Sequence, residues 1–247
     1  MDQSISNAAD GSSAPVVGWE ATGPVPDGYA FNDYLKADDG RLFMDGLDLA
    51  QLLNDYGNDQ GFGTVLPSPL EVVYMPLIRR QIERMCRWFE QAAAETGYAG
   101  RFLYAYASKA NAAEEVVRTT LGTGAHHEMS STVDVDIARI MIARGLLTPE
   151  RLLICNGFKT AGSSYMDNIL RIRNEHENVI PVLEDMGELS PLINSGMKFD
   201  VGLRQKTYGH NRTDEEMEAV NSRFGLNTEQ IWSTAGTVAA APNLQLR

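Results

Sequence analysis

From residue 102 onward the chain alternates short apolar runs with helical stretches of about 10–15 residues, and this alternation constrains its fold more than any other feature. Strands are expected at 102–108, 125–130, 152–157, 179–184 and 199–205. Helices are expected at 112–121, 133–144, 163–175 and 186–195. A longer loop follows the fifth strand, then a helix at about 228–239 and the start of a sixth strand at Leu244-Gln245-Leu246. The pattern specifies βαβ units and a parallel sheet. It does not separate a closed barrel from an open doubly wound sheet. At 247 residues the chain has about the length of a complete eight-stranded α/β barrel.

The region upstream has a different texture. Residues 1–18, rich in Ser, Ala, Gly and Asp, are expected to be a disordered tail. Residues 19–75 form an N-terminal β/α extension, with a short strand within 40–46 and a helix at about 47–56. Pro67-Ser68-Pro69 breaks the chain before an expected strand, Leu70-Glu71-Val72-Val73-Tyr74. Residues 76–247 then make the main α/β domain. Its first helix opens at Pro76, carries Ile78, Ile82, Met85, Phe89 and Ala92 at helical spacing, and stops at Gly97.

Net charge is -12. A surface of that sign argues against nucleic acid or an anionic membrane as partner. A small anionic ligand remains compatible, because helix N-termini bind phosphate locally. Cys86 and Cys155, the two cysteines, sit in apolar stretches and read as buried thiols, and no metal-ligand spacing is present. No secretion signal or membrane span is recognisable, so a cytoplasmic location is expected.

In parallel α/β folds the C-terminal strand ends carry the chemistry. Here they offer Lys109, then His127, Glu128, Ser130 and Ser131, then Asn156 and Lys159, then Glu184 and Asp185, then Arg204. A solvated rim would also be polar. Lys109 stands out because the run Phe102–Ser108 delivers one amine to a small-residue turn. In a partly dry pocket such an amine loses its proton more readily and becomes nucleophilic toward a carbonyl, including the aldehyde of pyridoxal 5'-phosphate. The bland alternative is a surface lysine at a strand end.

These residues resemble the fold-type III pyridoxal-phosphate-dependent amino-acid decarboxylases, the family of arginine, ornithine and diaminopimelate decarboxylases. Tyr106-Ala107-Ser108-Lys109-Ala110-Asn111 is similar to the family's Tyr-Ala-x-Lys-x-Asn, and Glu128-Met129-Ser130-Ser131 to its acidic-x-small-Ser element. Asn156-Gly157-Phe158-Lys159 resembles the Asn-Gly-Tyr-Lys form of the biosynthetic arginine decarboxylases. Val201-Gly202-Leu203-Arg204, Ser222-Arg223-Phe224-Gly225-Leu226 and Ser68-Pro69-Leu70-Glu71-Val72-Val73-Tyr74 match further segments in order. The resemblance implies an alanine-racemase-like (β/α)8 TIM barrel, pyridoxal 5'-phosphate as cofactor, and decarboxylation of a basic amino acid, arginine or diaminopimelate. It implies Lys109 as the catalytic, cofactor-bearing lysine, with Glu128, Ser131, Asn156 and Arg204 around the cofactor. It also implies a homodimer for the full-length protein.

Three departures qualify this reading. His126-His127 stand where apolar residues are expected, Arg223 replaces a lysine, and the loop Thr207–Arg212 is polar. The family's ring-stacking histidine, glycine-rich phosphate loop and pyridine-pairing acid follow a strand that resembles Leu244–Leu246, so the sequence reads as an incomplete barrel with low activity on its own. An amino-acid racemase of the same barrel, a non-catalytic decarboxylase-like protein and an inert fragment are the alternatives.

Overall fold

The computed structural model describes residues 14–15, 34–59, 71–206 and 224–247. The expected tail, the loop Thr207–Arg212 and Ser222-Arg223 lie almost wholly outside them. Two compact units divide the chain, Met1–Leu77 and Ile78–Arg247.

The first unit is built on Asp-Gly turns. Strands β1 (Ala14–Pro15), β2 (Leu35–Asp38), β3 (Arg41–Met44) and β4 (Leu47–Asp48) form an antiparallel sheet in chain order. Asp39-Gly40 and Asp45-Gly46 make the two connecting turns with all four residues at positive φ, the geometry that suits a two-residue hairpin. Helix α1 (Leu49–Asp59) starts two residues later than expected, because Leu47–Asp48 pairs with β3. Asp48 Oδ1 then accepts the Ala50 and Gln51 N–H groups at 3.0 and 3.1 Å. The strand expected at Leu70–Tyr74 is corrected: Glu71–Tyr74 is irregular, and Glu71, Val72 and Val73 are exposed. No described strand offers these residues a ladder, and Tyr74 Oη instead donates to Asp45 Oδ2 at 2.8 Å.

The second unit follows the alternation. Helix α2 (Met75–Thr96) stops at Gly97, whose φ of 66° ends the helix. Then come β5 (Ala105–Ala107), α3 (Glu114–Leu121), β6 (His126–Met129), α4 (Thr132–Ala143), β7 (Leu153–Cys155), α5 (Ser164–Ile172) and β8 (Val179–Leu183). A single 3-10 turn, Met186–Glu188, leads into α6 (Leu189–Ser195), followed by β9 (Phe199–Leu203), α7 (Thr228–Ala240) and β10 (Leu244–Leu246). The six strands are parallel and lie in chain order, β10-β9-β8-β7-β6-β5. A doubly wound sheet reverses its order at a switch point. This one does not reverse, so it is the wall of a barrel, left open at β5 and β10 among the described residues.

Alternation along each strand decides which face the helices cover. Met129, Leu153, Cys155, Leu183 and Val201 point to one side, where they join Val135, Ala138, Ile169 and Leu192 in a single core. Residues of opposite parity face away from the helices. The register Ala107↔Glu128↔Ile154↔Ile180 sets their rows. Cys155 is fully buried, and burial pushes its thiol up to about 12. Cys86, expected to be buried, is only half-buried on α2, a long helix with one buried residue, Ile82.

Leu153 is wholly enclosed between the sheet and the helices. Leu153→Ala is expected to lower the unfolding free energy by about 2–5 kcal/mol in a urea titration. A change below about 1 kcal/mol would contradict this core assignment.

Candidate functional site

The Lys109 turn is tied down from both sides. Tyr106 Oη donates to the Asn111 carbonyl at 2.8 Å, and Asn111 Oδ1 accepts the Ala113 N–H at 2.9 Å. The second bond holds the chain in a turn and delays α3 to Glu114, two residues after the expected start. The Tyr and Asn of the motif therefore close the loop that carries the lysine. Ser108, fully buried, donates from Oγ to Asp134 Oδ1 at 2.6 Å.

Lys109 lies in the turn that follows β5, two residues beyond the Ala107–Glu128 pair. Its side chain is exposed and has no partner among the described residues, so the dry pocket expected around it is corrected. The reason is topological: among the described residues β5 is the edge strand, with a neighbour on one side only.

Three of the expected cofactor-binding residues are joined by hydrogen bonds or lie beside one another in the same rows. Glu128, buried at the end of β6, accepts from Asn156 Nδ2 at 2.7 Å. Its other oxygen, Oε2, is buried without a partner among the described residues. Next to Asn156, the Gly157 N–H donates to Glu184 Oε1 at 2.6 Å, and both Glu184 oxygens accept from Arg204 Nη1, at 3.1 and 3.2 Å. Gly157 has φ 77°, and a Cβ there would lie 2.6 Å from the Ser130 carbonyl oxygen, so only glycine fits this approach of β7 to β6. Arg204 stacks over Phe224 at 5.0 Å and keeps a half-exposed guanidinium with donors facing solvent.

The other expected residues make bonds within the scaffold or are buried in it. Ser131 caps α4: its Oγ donates to Asp134 Oδ2 at 2.8 Å and faces the Asp134 N–H at 3.4 Å. His127, expected at the strand mouth, is turned toward the helices and fully buried, with neither ring nitrogen partnered among the described residues. Burial pushes its pKa down to about 4, against the opposing pull of Asp134, so it is neutral in the fold. Lys159 is also fully buried. Its ammonium pairs with Glu188 Oε2 at 3.2 Å and donates to the Gly157 carbonyl.

Two acids that no quoted motif includes organise this region. Glu188 accepts the Lys159 N–H on Oε1 at 2.8 Å and the Glu184 N–H on Oε2 at 3.0 Å, clamping the ends of β7 and β8 together. Asp134 accepts from Ser108, from Ser131 and from the Ser130 N–H, the last at 2.9 Å. Burial alone would raise its pKa, but these hydrogen bonds outweigh it and hold the carboxyl below its ordinary value.

The donor set fits pyridoxal phosphate. It combines an unpartnered amine, a buried carboxylate oxygen awaiting a donor, an amide and a guanidinium with spare N–H groups. Lys109, Glu128, Asn156 and Arg204 supply these groups.

Comparisons with known proteins give the family and the fold. The family model described as "Pyridoxal-dependent decarboxylase, pyridoxal binding domain" matches residues 79–247. Arginine decarboxylase 1 of Oryza sativa subsp. japonica is 32% identical over 202 residues, 76% of this chain and 28% of that protein. Biosynthetic arginine decarboxylase of Prochlorococcus marinus (strain MIT 9303) is 27% identical over 204 residues, 79% of this chain and 30% of the relative. The chain thus spans less than a third of the length of these relatives. Among solved structures, diaminopimelate decarboxylase from M. jannaschii, in complex with L-lysine, superposes with a TM-score of 0.67 at 21% identity, over 87% of this chain and 46% of that one. Lysine decarboxylase from Selenomonas ruminantium gives 0.54 at 14% identity, over 78% and 43%. These two likenesses concern the fold, an α/β barrel.

Two measurements test the buried groups. Lys159→Met leaves the Glu188 carboxylate buried and uncompensated, and is expected to cost about 3–5 kcal/mol by chemical denaturation. A cost under about 1 kcal/mol would show that the pair is not enclosed. His127 has a folded pKa below its ordinary value, so below about pH 6.5 the unfolded chain takes up a proton that the folded chain refuses until about 4. Stability is therefore lost as pH falls through that window. Relative to His127→Leu, the parent protein is expected to lose on the order of 3 kcal/mol between pH 7 and pH 4. Parallel stability curves for the two proteins would contradict the assignment.

Proposed function

The chain belongs to the pyridoxal-dependent decarboxylases through their pyridoxal-binding domain, and on that premise we propose that it takes part in the decarboxylation of a basic amino acid, arginine. The observation that carries the reading is the row of strand ends. Lys109, Glu128, Asn156, Glu184 and Arg204 all stand at or just beyond the C-terminal ends of neighbouring strands, in consecutive order. Arginine is favoured by the Asn156-Gly157-Phe158-Lys159 element and by relatives that bear the name arginine decarboxylase.

Pyridoxal phosphate, when bound, supplies the aldehyde that an amine captures and the ring that takes up the electron pair left behind by CO2. The protein's own residues do the rest. Lys109 Nζ is the amine that would hold the group. The free oxygen of Glu128 would accept a hydrogen bond from the group, and Asn156 fixes the orientation of that carboxylate. Arg204, held by Glu184 and backed by Phe224, offers its remaining N–H groups to an anionic group of cofactor or substrate. Turnover is proposed for the protein with its sheet closed, since an open face admits the water that such sites exclude. No helix among the described residues is long and apolar enough to cross a membrane.

Incubating the chain with pyridoxal phosphate, reducing with borohydride and mapping peptides by mass tests the reading. Fixation is expected to concentrate on Lys109 and to vanish from that peptide in Lys109→Ala. L-arginine is expected to shift the visible absorbance of the loaded chain more than L-ornithine or diaminopimelate does. Fixation spread evenly over surface lysines would overturn the proposal, and a preference for diaminopimelate would overturn its choice of substrate.

A further inference from the structure

We propose that Asp134 is a positioning residue for Lys109, acting through the buried hydroxyl of Ser108. The inference rests on the reading of Lys109 as the cofactor-bearing amine and deepens it.

The turn after β5 has to present an amine on an edge strand, where no neighbouring strand steadies it from one side. Its two inner anchors differ in kind. The Tyr106–Asn111 bond closes the loop upon itself and fixes its shape. It ties the far end of the loop, Asn111, back to strand β5 and makes no bond from Ser108 or Lys109 to the neighbouring β6. The backbone tie from the Ser108 N–H to the Glu128 carbonyl is long, at 3.4 Å. The strong link to the rest of the site is the 2.6 Å bond from Ser108 Oγ to Asp134 Oδ1.

Asp134 is itself immobilised. It lies in the first turn of α4, where a carboxylate is favoured by the helix N-terminus. Its second oxygen accepts from the Ser130 N–H and from Ser131 Oγ, both at the end of β6. One carboxylate therefore joins the residue next to Lys109 with the segment two residues beyond Glu128. His127 and the buried Tyr165 hydroxyl are the titratable groups that face it; burial pushes the first down and the second up, so both are neutral in the fold. Asp134 thus keeps its charge for hydrogen bonds that a neutral acceptor would make more weakly. Neither Asp134 nor Ser108 is positioned to touch a ligand, since both are buried on the helix side of the sheet.

The test uses the full chain and the ratio of pyridoxal phosphate fixed at Lys109 to that fixed at Lys198. Lys198 is an exposed lysine at the opposite end of the strands and serves as internal reference. Ser108→Ala and Asp134→Asn are each expected to lower the ratio about tenfold, because small misplacements of a reacting group are costly. Ser163→Ala removes an equivalent cap from α5, remote from Lys109, and is expected to lower Tm comparably while leaving the ratio unchanged. An unchanged ratio in Ser108→Ala, or an equal fall in Ser163→Ala, overturns the proposal. Should the parent chain show no preference for Lys109, the cofactor reading fails, and amide hydrogen exchange at Lys109 and Ala110 then decides this one. Faster exchange in Ser108→Ala but not in Ser163→Ala supports it, and equal exchange overturns it.

Discussion

The parallel register of six strands is the constraint on which everything else in this molecule depends. Once Ala107, Glu128, Ile154 and Ile180 lie in one row, alternation leaves no freedom about which side chains face the helices and which face away. A slip of one residue in β6 alone would bury Glu128 under α4 and turn Met129 outward. Met129 and Leu153, both fully enclosed, make such a slip costly, so the hydrophobic core sets the positions of the polar groups. The core and the site are two faces of one decision.

The strand ends solve a second problem, that of holding charged and polar groups where irregular backbone leaves N–H groups unpaired. Each is met by a carboxylate from the following turn or helix. Asp134 takes the Ser130 N–H, Glu184 takes that of Gly157, and Glu188 takes those of Lys159 and Glu184. Two of these acids carry a further duty: Glu184 holds Arg204, and Glu188 neutralises a buried ammonium. The acidity of the chain is thus partly internal, spent on backbone groups, and only partly a surface property. Gly225, with φ 86° and no room for a Cβ beside the Arg204 carbonyl, lets Leu226 pair back onto the arginine's own backbone.

Much of this was legible in the sequence, for identifiable reasons. The strands and helices from 105 to 246 follow directly from the switch between periods of two and 3.6, because nearly every apolar residue there serves one core. Lys109, Glu128, Asn156 and Arg204 were visible as polar residues at strand ends. What escaped was conformation set by single bonds. The Asp39-Gly40 and Asp45-Gly46 turns carry a hairpin signal that short, exposed strands made easy to overlook. Leu70–Tyr74 has the composition of a strand, yet a strand exists only with a partner. His127 could not be assigned a face without knowing the register. Asp134 announces itself as Ser131-x-x-Asp134, a capping spacing, but nothing local reveals that its other oxygen reaches back 26 residues to Ser108.

The central claim is that Lys109 shares one mouth with the unpartnered oxygen of Glu128. The most direct measurement is a crystal structure of the chain after reduction in the presence of pyridoxal phosphate. The account predicts ring density continuous with Lys109 Nζ and a ring atom within hydrogen-bonding distance of Glu128 Oε2. Ring density attached to another lysine, with Lys109 unmodified and Glu128 Oε2 satisfied by protein alone, would contradict it.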